Sequence, residues 1–167
     1  MDKLHVAIGL WTILAVWRWG DWRNWKKYYP TMLYMSLGAC VYLFLYGQDA
    51  LWNPRPSLLL DKQNELLYLF VIMPCSALLY LSNFPAKLKS KLIHISKWIL
   101  IYILVEWIGY LFHEITYNSG WNLWWSLVFD MIMFPMLILH HRRPLLALVL
   151  SVFAAMGLMA FFPPHWG

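Results

Sequence analysis

Two carboxylates lie inside long apolar runs of this sequence, and they are its strongest candidates for chemistry. Glu106 belongs to the run of residues 93–112, and Asp130 belongs to the run of residues 122–139. An acid within the hydrocarbon layer of a bilayer costs about 3 kcal/mol or more, so it is usually protonated, paired or in contact with water, and it commonly marks a site. If the two acids face each other, repulsion and desolvation leave at least one of them protonated near neutral pH. Such a pair is suited to exchange protons, to bind a cation or to stabilise a positively charged intermediate.

Helical spacing predicts a polar stripe around each acid. Residues three or four apart share one face of a helix, and a short outer turn makes the two helices antiparallel neighbours. At 1.5 Å per residue, both acids then lie roughly 10 Å below the outer surface. The first stripe contains Tyr102, Glu106, Tyr110 and His113, with Gly109 beside it to admit a close neighbour, and the second contains Asn122, Ser126 and Asp130. Trp107, Tyr110 and Trp125 add aromatic faces that suit a cation, so we predict an outward-opening aromatic cavity between these helices.

Each of these candidates also has a purely structural interpretation. Either acid can accept hydrogen bonds from neighbouring hydroxyl or indole groups and hold two helices together. Glu65, a further candidate for ligand binding, opens the third apolar run, where the helix dipole alone favours a carboxylate. His113 and Glu114 lack the ligand spacing of a known metal motif, so we interpret them as an interfacial pair and predict no metal site.

The composition is that of a membrane protein. Hydrophobic residues make up 62% of the 167 residues and charged residues only 13%, against roughly half and a quarter in soluble proteins. The twelve Trp and ten Tyr residues agree, because these rings favour the headgroup level of a bilayer. The net charge of +5 comes from short, separate basic clusters, which excludes the continuous basic face of a nucleic-acid-binding protein. Cys40 and Cys75 lie in apolar runs without C-x-x-C spacing, so neither a disulfide framework nor a zinc site is indicated.

Six apolar runs predict an all-α polytopic bundle of six transmembrane helices, with five as the fallback, in a single integral membrane domain of residues 1–167. The runs cover residues 4–19, 31–46, 64–81, 93–112, 122–139 and 144–162. Most basic residues lie in the first, third and fifth connections, whereas most acids lie on the other side. By the positive-inside rule, the basic connections face the cytoplasm and both termini face outward.

An outer connection and the prolines within the apolar runs predict departures from regular helix geometry. The connection of residues 47–62 contains Pro54, Arg55 and Pro56, so we expect an irregular loop. Pro74 and Pro135 lie inside the third and fifth runs. Each removes a backbone donor and frees the carbonyl group four residues earlier, at Phe70 and at Met131, and Met131 is next to Asp130.

Other features predict contacts with lipid or with protein. Ala147, Ser151 and Ala155 form a small-residue stripe on the last run, which predicts a scaffold contact or a homo-oligomer contact. His140 and His141 precede two arginines, and we interpret them as completing a basic inner turn, with a lipid phosphate site as the alternative. Membrane lipids are the partner that the composition itself implies.

Two segments carry a resemblance to known families. The first resemblance rests on two stretches, Gly20-Asp21-Trp22-x-x-Trp25-x-x-Tyr28-Tyr29-Pro30-Thr31 and Gly120-Trp121-Asn122-x-Trp124-Trp125-Ser126. In these stretches the chain resembles an uncharacterised family of small multi-span membrane proteins of endospore-forming Firmicutes. That resemblance implies a bacterial cell membrane and supplies neither an activity nor site residues. A shorter likeness joins Asn122-x-x-Trp125-Ser126-x-x-Phe129 to the N-x-x-W-S-P-x-F element of the five-span tryptophan-rich sensory proteins, which bind tetrapyrroles and hydrophobic ligands. Leu127 stands where that element has proline.

The sequence leaves three functions open. The leading hypothesis is binding or transport of a small cationic or hydrophobic ligand by proton-exchanging carboxylates. The alternatives are an intramembrane enzyme acting on a lipid or isoprenoid, and a structural or interaction subunit of a membrane complex. There is no phosphate-binding glycine-rich loop, H-E-x-x-H motif or nucleophile elbow, so no cofactor is predicted.

Overall fold

The described residues form a bundle of six long helices, as predicted, with a short 3-10 helix, Trp22–Lys27, between the first two. In a computed structural model that describes residues 3–47, 50–54 and 65–164, the helices are α1 (Lys3–Trp19), α2 (Tyr29–Tyr46), α3 (Glu65–Ser82), α4 (Leu88–Leu111), α5 (Leu123–Arg142) and α6 (Pro144–Phe161). Pro30 and Pro144 lie in the first turns of α2 and α6, where a missing N–H group costs no helical hydrogen bond. The all-α class is therefore confirmed.

Five of these helices, α2 to α6, are long and apolar enough to cross a membrane. Helix α1 has 17 residues and is shorter than each of the other five. Its buried side chains His5, Thr12 and Ala15 share one face, and the helix packs against α3. The structure thus contains the six predicted helices, and by length and composition it supports the fallback number of five spans.

The centre of the bundle is an aromatic cluster shared by α3, α4 and α5. Tyr80 and Phe134 are fully buried, with ring centroids 5.1 Å apart. Trp98 and Tyr102 of α4 pack against Phe134 at 6.1 and 5.1 Å. The Tyr80 hydroxyl donates to the carbonyl oxygen of Phe134 at 3.1 Å, so the large polar side chain is satisfied within the core.

Helix α3 contains a π-helical turn, Tyr68–Ile72, just before Pro74. In a π-helical turn, each carbonyl group accepts from the N–H group of the residue five positions later. For Leu69 that residue is Pro74, which has no N–H group. The Ser36 hydroxyl of α2 donates to that Leu69 carbonyl at 2.8 Å. The sequence predicted the freed carbonyl at Phe70. The side-chain donor instead reaches Leu69, because the π turn shifts the pairing by one residue.

A two-stranded antiparallel ribbon crosses the outer end of the bundle. Strand β1 (Trp52–Pro54) pairs with β2 (Ile115–Tyr117), with Trp52 opposite Tyr117. The segment of residues 47–62, predicted as an irregular loop with little regular structure, contains this one three-residue strand in its described part, and residues 48–49 and 55–64 lie outside that part. Five charged residues that the topology prediction counted on the outer side also lie outside the described part: Asp2, Asp49, Arg55, Asp61 and Lys62.

The ribbon is fastened to the helices by hydrogen bonds and by close packing. The backbone N–H of Trp52 donates to the Tyr42 hydroxyl of α2 at 2.9 Å. Ile115 packs onto Gly109 of α4 so closely that a Cβ atom on the glycine would lie 2.5 Å from Ile115 Cδ1. The predicted role of Gly109, to admit a close neighbour, is met by this isoleucine.

Candidate functional site

Glu106 and Asp130 lie on neighbouring helices near the outer end of the bundle. Glu106 is five residues before the end of α4, and Asp130 is seven residues after the start of α5. Asp130 is only 5% exposed, Glu106 is partly buried, and their carboxyl groups are close enough for their charges to interact. Two acids in adjacent apolar helices thus share one interior region.

Glu106 is held by two hydroxyl donors on the same carboxylate oxygen. The Ser126 Oγ donates to Glu106 Oε1 at 2.5 Å, and the Tyr117 hydroxyl donates to that atom at 2.7 Å. The Trp121 indole N–H donates in turn to Ser126 Oγ at 2.9 Å. Hydrogen bonds to an ionised acceptor are the stronger ones, so this chain of donors stabilises a negative charge on Glu106.

Tyr117 brings the ribbon into the site. It belongs to β2, outside the spanning helices. Burial raises the pKa of its hydroxyl above the ordinary value, and the Glu106 carboxylate raises this pKa further by accepting the hydrogen bond and by its charge. The phenol therefore stays neutral and keeps its proton to donate throughout the physiological range.

Asp130 has different surroundings. Among the described residues it makes no hydrogen bond. The Tyr102 hydroxyl, whose electrostatic interaction with Asp130 shows that the two are close, is also buried without a partner that meets hydrogen-bond geometry, although Ser76 lies nearby. Buried polar groups are nearly always hydrogen-bonded, and the exceptions need an explanation. The Tyr102 hydroxyl is such an exception, and it lies next to Asp130, which makes no hydrogen bond within the described ranges, and near Glu106, whose Oε1 accepts two.

Three predicted site residues, Trp107 and Tyr110 of α4 and His113 after it, lie at the exposed surface. Trp107 is 46% exposed and Tyr110 is 49% exposed, although the Tyr110 ring stacks on Tyr117 with centroids 5.2 Å apart. His113 is exposed and has a φ of 58°, because α4 ends at Leu111 and the chain turns sharply toward β2. The prediction that His113 continues the helical stripe of Tyr102, Glu106 and Tyr110 is therefore wrong.

The remaining candidates have structural positions. Asn122 precedes α5 and caps it, since its side-chain oxygen accepts from the N–H groups of Trp124 and Trp125 at 3.0 and 3.3 Å. The Trp125 ring packs edge-on against Phe162 at 5.1 Å. Glu65 is exposed at the first residue of α3, the position that the helix dipole favours for an acid.

The sequence missed the two aromatic donors of the site. Tyr117 and Trp121 flank a tight turn in which Ser119 has a φ of 52° and Gly120 a φ of 80°. This left-handed pair folds the outer turn back over the ends of α4 and α5, so both donors reach Ser126 and Glu106. A short, aromatic turn containing Ser-Gly between two acid-bearing helices was the available signal.

Within the described ranges, no group of three or more His, Cys, Asp or Glu residues is placed to hold a metal ion. His113 is exposed, whereas the adjacent Glu114 is 9% exposed. These two neighbours therefore face different surroundings.

A second polar cluster lies near the inner end of the bundle. His140 is buried, its Nδ1 lies 3.1 Å from Thr31 Oγ1, and its ring stacks on Tyr34 with centroids 4.1 Å apart. Ser151 donates to the Ala147 carbonyl at 2.8 Å, so Tyr34 is the donor in its 2.6 Å hydrogen bond with Ser151. Ala147 is fully buried. The start of the small-residue stripe thus packs inside this chain, and the oligomer contact stays a prediction.

Comparison of the chain with protein-family models, curated proteins and solved structures finds no match. We therefore infer the function from the geometry of the site.

Proposed function

We propose that this chain is an integral protein of a bacterial cell membrane that binds a small cationic or hydrophobic ligand from the outer side and moves it in exchange for a proton. The acids Glu106 and Asp130 carry out the exchange. Five helices long and apolar enough to span support the membrane location. The resemblance to membrane proteins of endospore-forming Firmicutes supports the bacterial cell membrane.

The observation that carries the proposal is the contrast between the two acids. Glu106 links α4, α5 and the ribbon through its hydroxyl donors, and a purely structural role would explain it. Asp130 forms no such link with any described residue, yet it is 5% exposed and beside a second carboxyl group. A buried acid that holds nothing together is suited to carry a proton or to face a cation.

The charges of the pair permit an exchange. With Glu106 ionised by its donors and Asp130 protonated, the pair carries one negative charge and one exchangeable proton. A cation that replaces the proton leaves the charge of the region unchanged. The ring of Tyr102, packed edge-on against Phe134 at 5.1 Å, offers an aromatic face beside Asp130. Tyr102 takes the place of Trp107 and Tyr110, whose rings are half exposed.

Equilibrium binding of tetraphenylphosphonium, a hydrophobic cation, to the purified protein in detergent tests the proposal. If one cation displaces one proton, the Kd rises about tenfold for each pH unit of acidification below the titration of the pair. Asp130→Asn removes the exchangeable proton, so we expect weaker binding and no pH dependence. Glu106→Gln removes the negative charge, so we expect binding to be lost.

Asp21→Asn is the matched control, because Asp21 lies in the first inner connection, outside the acid pair. Its two carboxylate oxygens accept from Asn24 and Tyr28, and asparagine keeps one of these oxygens. Its Kd and pH dependence should equal those of the unchanged protein. Equal affinity and equal pH dependence in Asp130→Asn and the unchanged protein would contradict the proposal.

A further inference from the structure

A groove on the membrane-facing side of the bundle lies near its inner end, far from the acid pair. It has a volume of about 410 Å³. Its lining consists of Pro30, Leu33, Tyr34, Leu37, His140 and Leu148. Helices α2, α5 and α6 form its walls, and apart from Tyr34 and His140 the lining is apolar.

The depth of the groove matches the upper part of one lipid leaflet. Pro30 lies in the first turn of α2 and Leu37 lies seven residues later, which is roughly 10 Å along a helix. Leu148 lies in the second turn of α6, so it reaches a similar depth from the other wall. The groove therefore runs from the headgroup level to the first part of the acyl chains.

His140 supplies a polar group at the floor of this apolar groove. Its Nδ1 pairs with Thr31, and its Nε2 makes no hydrogen bond with any described residue. In the tautomer in which Nδ1 accepts from the Thr31 hydroxyl, the Nε2 atom carries the proton and is a donor. His140 is two residues from the end of α5, which places it at the level of the phospholipid ester groups. The carbonyl oxygens of these ester groups accept hydrogen bonds.

Positive charge surrounds the inner mouth of the groove. Arg142 and Arg143 are exposed directly after the histidine pair, and Lys27 is exposed three residues before Pro30. The His141 ring stacks on Tyr28 at 5.7 Å, and its electrostatic interactions with Lys27 and Arg142 show that the two basic segments converge there. Such a cluster attracts anionic headgroups, by roughly 1 kcal/mol for each basic residue near the surface.

We propose that this groove is a binding site for an anionic phospholipid of the inner leaflet. One acyl chain lies between Leu33, Leu37 and Leu148, and an ester carbonyl accepts from His140 Nε2. The phosphate lies between Lys27 and the two arginines. The site is independent of the acid pair, so either proposal can fail without the other.

Native mass spectrometry tests this site with protein released from bilayer nanodiscs that contain equal amounts of dioleoylphosphatidylglycerol and dioleoylphosphatidylcholine. We expect retained phosphatidylglycerol to exceed phosphatidylcholine by about tenfold or more. Arg142→Gln combined with Arg143→Gln should remove most of this preference. The control pair, Lys87→Gln with Lys89→Gln, removes two exposed charges at the start of α4 and should preserve the preference.

A second set of variants separates the groove from general attraction to the basic surface. Leu37→Trp and Leu148→Trp each fill the groove from a different wall, and both side chains are partly exposed, so the fold should tolerate them. Each should reduce retained phosphatidylglycerol at least about fivefold with the charges unchanged. Leu145→Trp, on the exposed side of α6 and outside the lining, is the control. Equal retention of the two lipids by the unchanged protein, or undiminished phosphatidylglycerol in both groove-filling variants, would overturn the proposal.

Discussion

At the scale of residues, the two intramembrane acids differ in what surrounds them. Glu106 accepts from Ser126 and Tyr117, whereas Asp130 accepts from no described donor. Hydrogen bonds to the charged form of an acid favour that form, and burial without them favours the neutral one. We therefore assign the negative charge of the pair to Glu106 and the proton to Asp130.

Infrared difference spectroscopy at neutral pH checks this assignment. We expect the carboxylic acid C=O band of the protonated acid to disappear in Asp130→Asn and to persist in Glu106→Gln. Loss of the band in Glu106→Gln together with its persistence in Asp130→Asn would reverse the assignment. Asp21→Asn, which changes an acid outside the spanning helices, should leave the band unaltered.

The contact between Gly109 and Ile115 gives a second prediction at this scale. In Gly109→Ala the new methyl group meets the side chain of Ile115, which is 4% exposed and cannot move away freely. We expect the free energy of unfolding in detergent to fall by about 1–3 kcal/mol, the usual cost of overpacking. The ribbon should detach first, because Ile115 belongs to β2.

Gly157→Ala is the matched control, since Gly157 is also helical and a Cβ atom there meets nothing within 4 Å. This change should stabilise the protein by up to about 1 kcal/mol, because alanine is the better helix former. Adding Ile115→Val to Gly109→Ala should restore part of the lost stability. Equal effects of the two glycine substitutions would contradict the packing argument.

At the scale of elements, the π turn of α3 depends on a donor from another helix. Pro74 provides no N–H group, and the Ser36 hydroxyl of α2 donates to the Leu69 carbonyl at 2.8 Å. A buried acceptor that loses its partner costs about 1–3 kcal/mol. We therefore expect Ser36→Ala to lower the free energy of unfolding by that amount.

A double-mutant cycle isolates the link between Ser36 and Pro74. In Pro74→Ala the backbone N–H returns and can satisfy Leu69, so Ser36→Ala should cost less in that background. The measurement is equilibrium unfolding in mixed detergent micelles for the four proteins of the cycle. Additive effects would show that the serine acts independently of the proline.

The sequence predicted the helices better than it predicted the segments between them. Apolar runs located all six helices, although α4 begins at Leu88, five residues before its run, because its first turns are basic and serve the interface. Helical spacing placed Tyr102, Glu106, Ser126 and Asp130 in one region, since those residues follow regular helix geometry. Tyr117 was not predicted, because its position depends on the left-handed residues Ser119 and Gly120 and on pairing with β1. Such pairing joins segments more than 60 residues apart, which periodicity does not reveal.

At the scale of the whole molecule, the acid pair and the packed aromatic rings of the core occupy different levels of the bundle. The acid pair lies beneath the ribbon, and the packed rings of Tyr80, Trp98 and Phe134 lie further along α4 and α5 toward the basic connections. Passage to the inner side would require these rings to repack.

The side on which the amino terminus lies depends on whether α1 crosses the membrane. Its 17 residues span roughly 26 Å as a helix, slightly less than the hydrocarbon layer of about 30 Å, which local thinning and the flanking tryptophans can accommodate. At its inner end, the Asn83 side chain that follows α3 donates to the Trp19 carbonyl at 3.0 Å. Helices α1 and α3 thus end at the same level, as two spans of one bundle do.

Single cysteines in a Cys40→Ala, Cys75→Ala background test the resulting topology with a membrane-impermeant maleimide. In intact bacterial cells we expect labelling of Lys3→Cys and Phe112→Cys, whereas Arg23→Cys and Lys89→Cys should react only after the membrane is permeabilised. Lys89 lies in the first turn of α4 and Phe112 directly follows its last residue, and both are exposed, so they report the direction of that helix whatever α1 does. Labelling of positions 3 and 23 on the same side would show that α1 lies along the surface and that five helices span. Labelling of Lys89→Cys but not of Phe112→Cys in intact cells would show the opposite orientation of the bundle, with the acid pair near the cytoplasmic side.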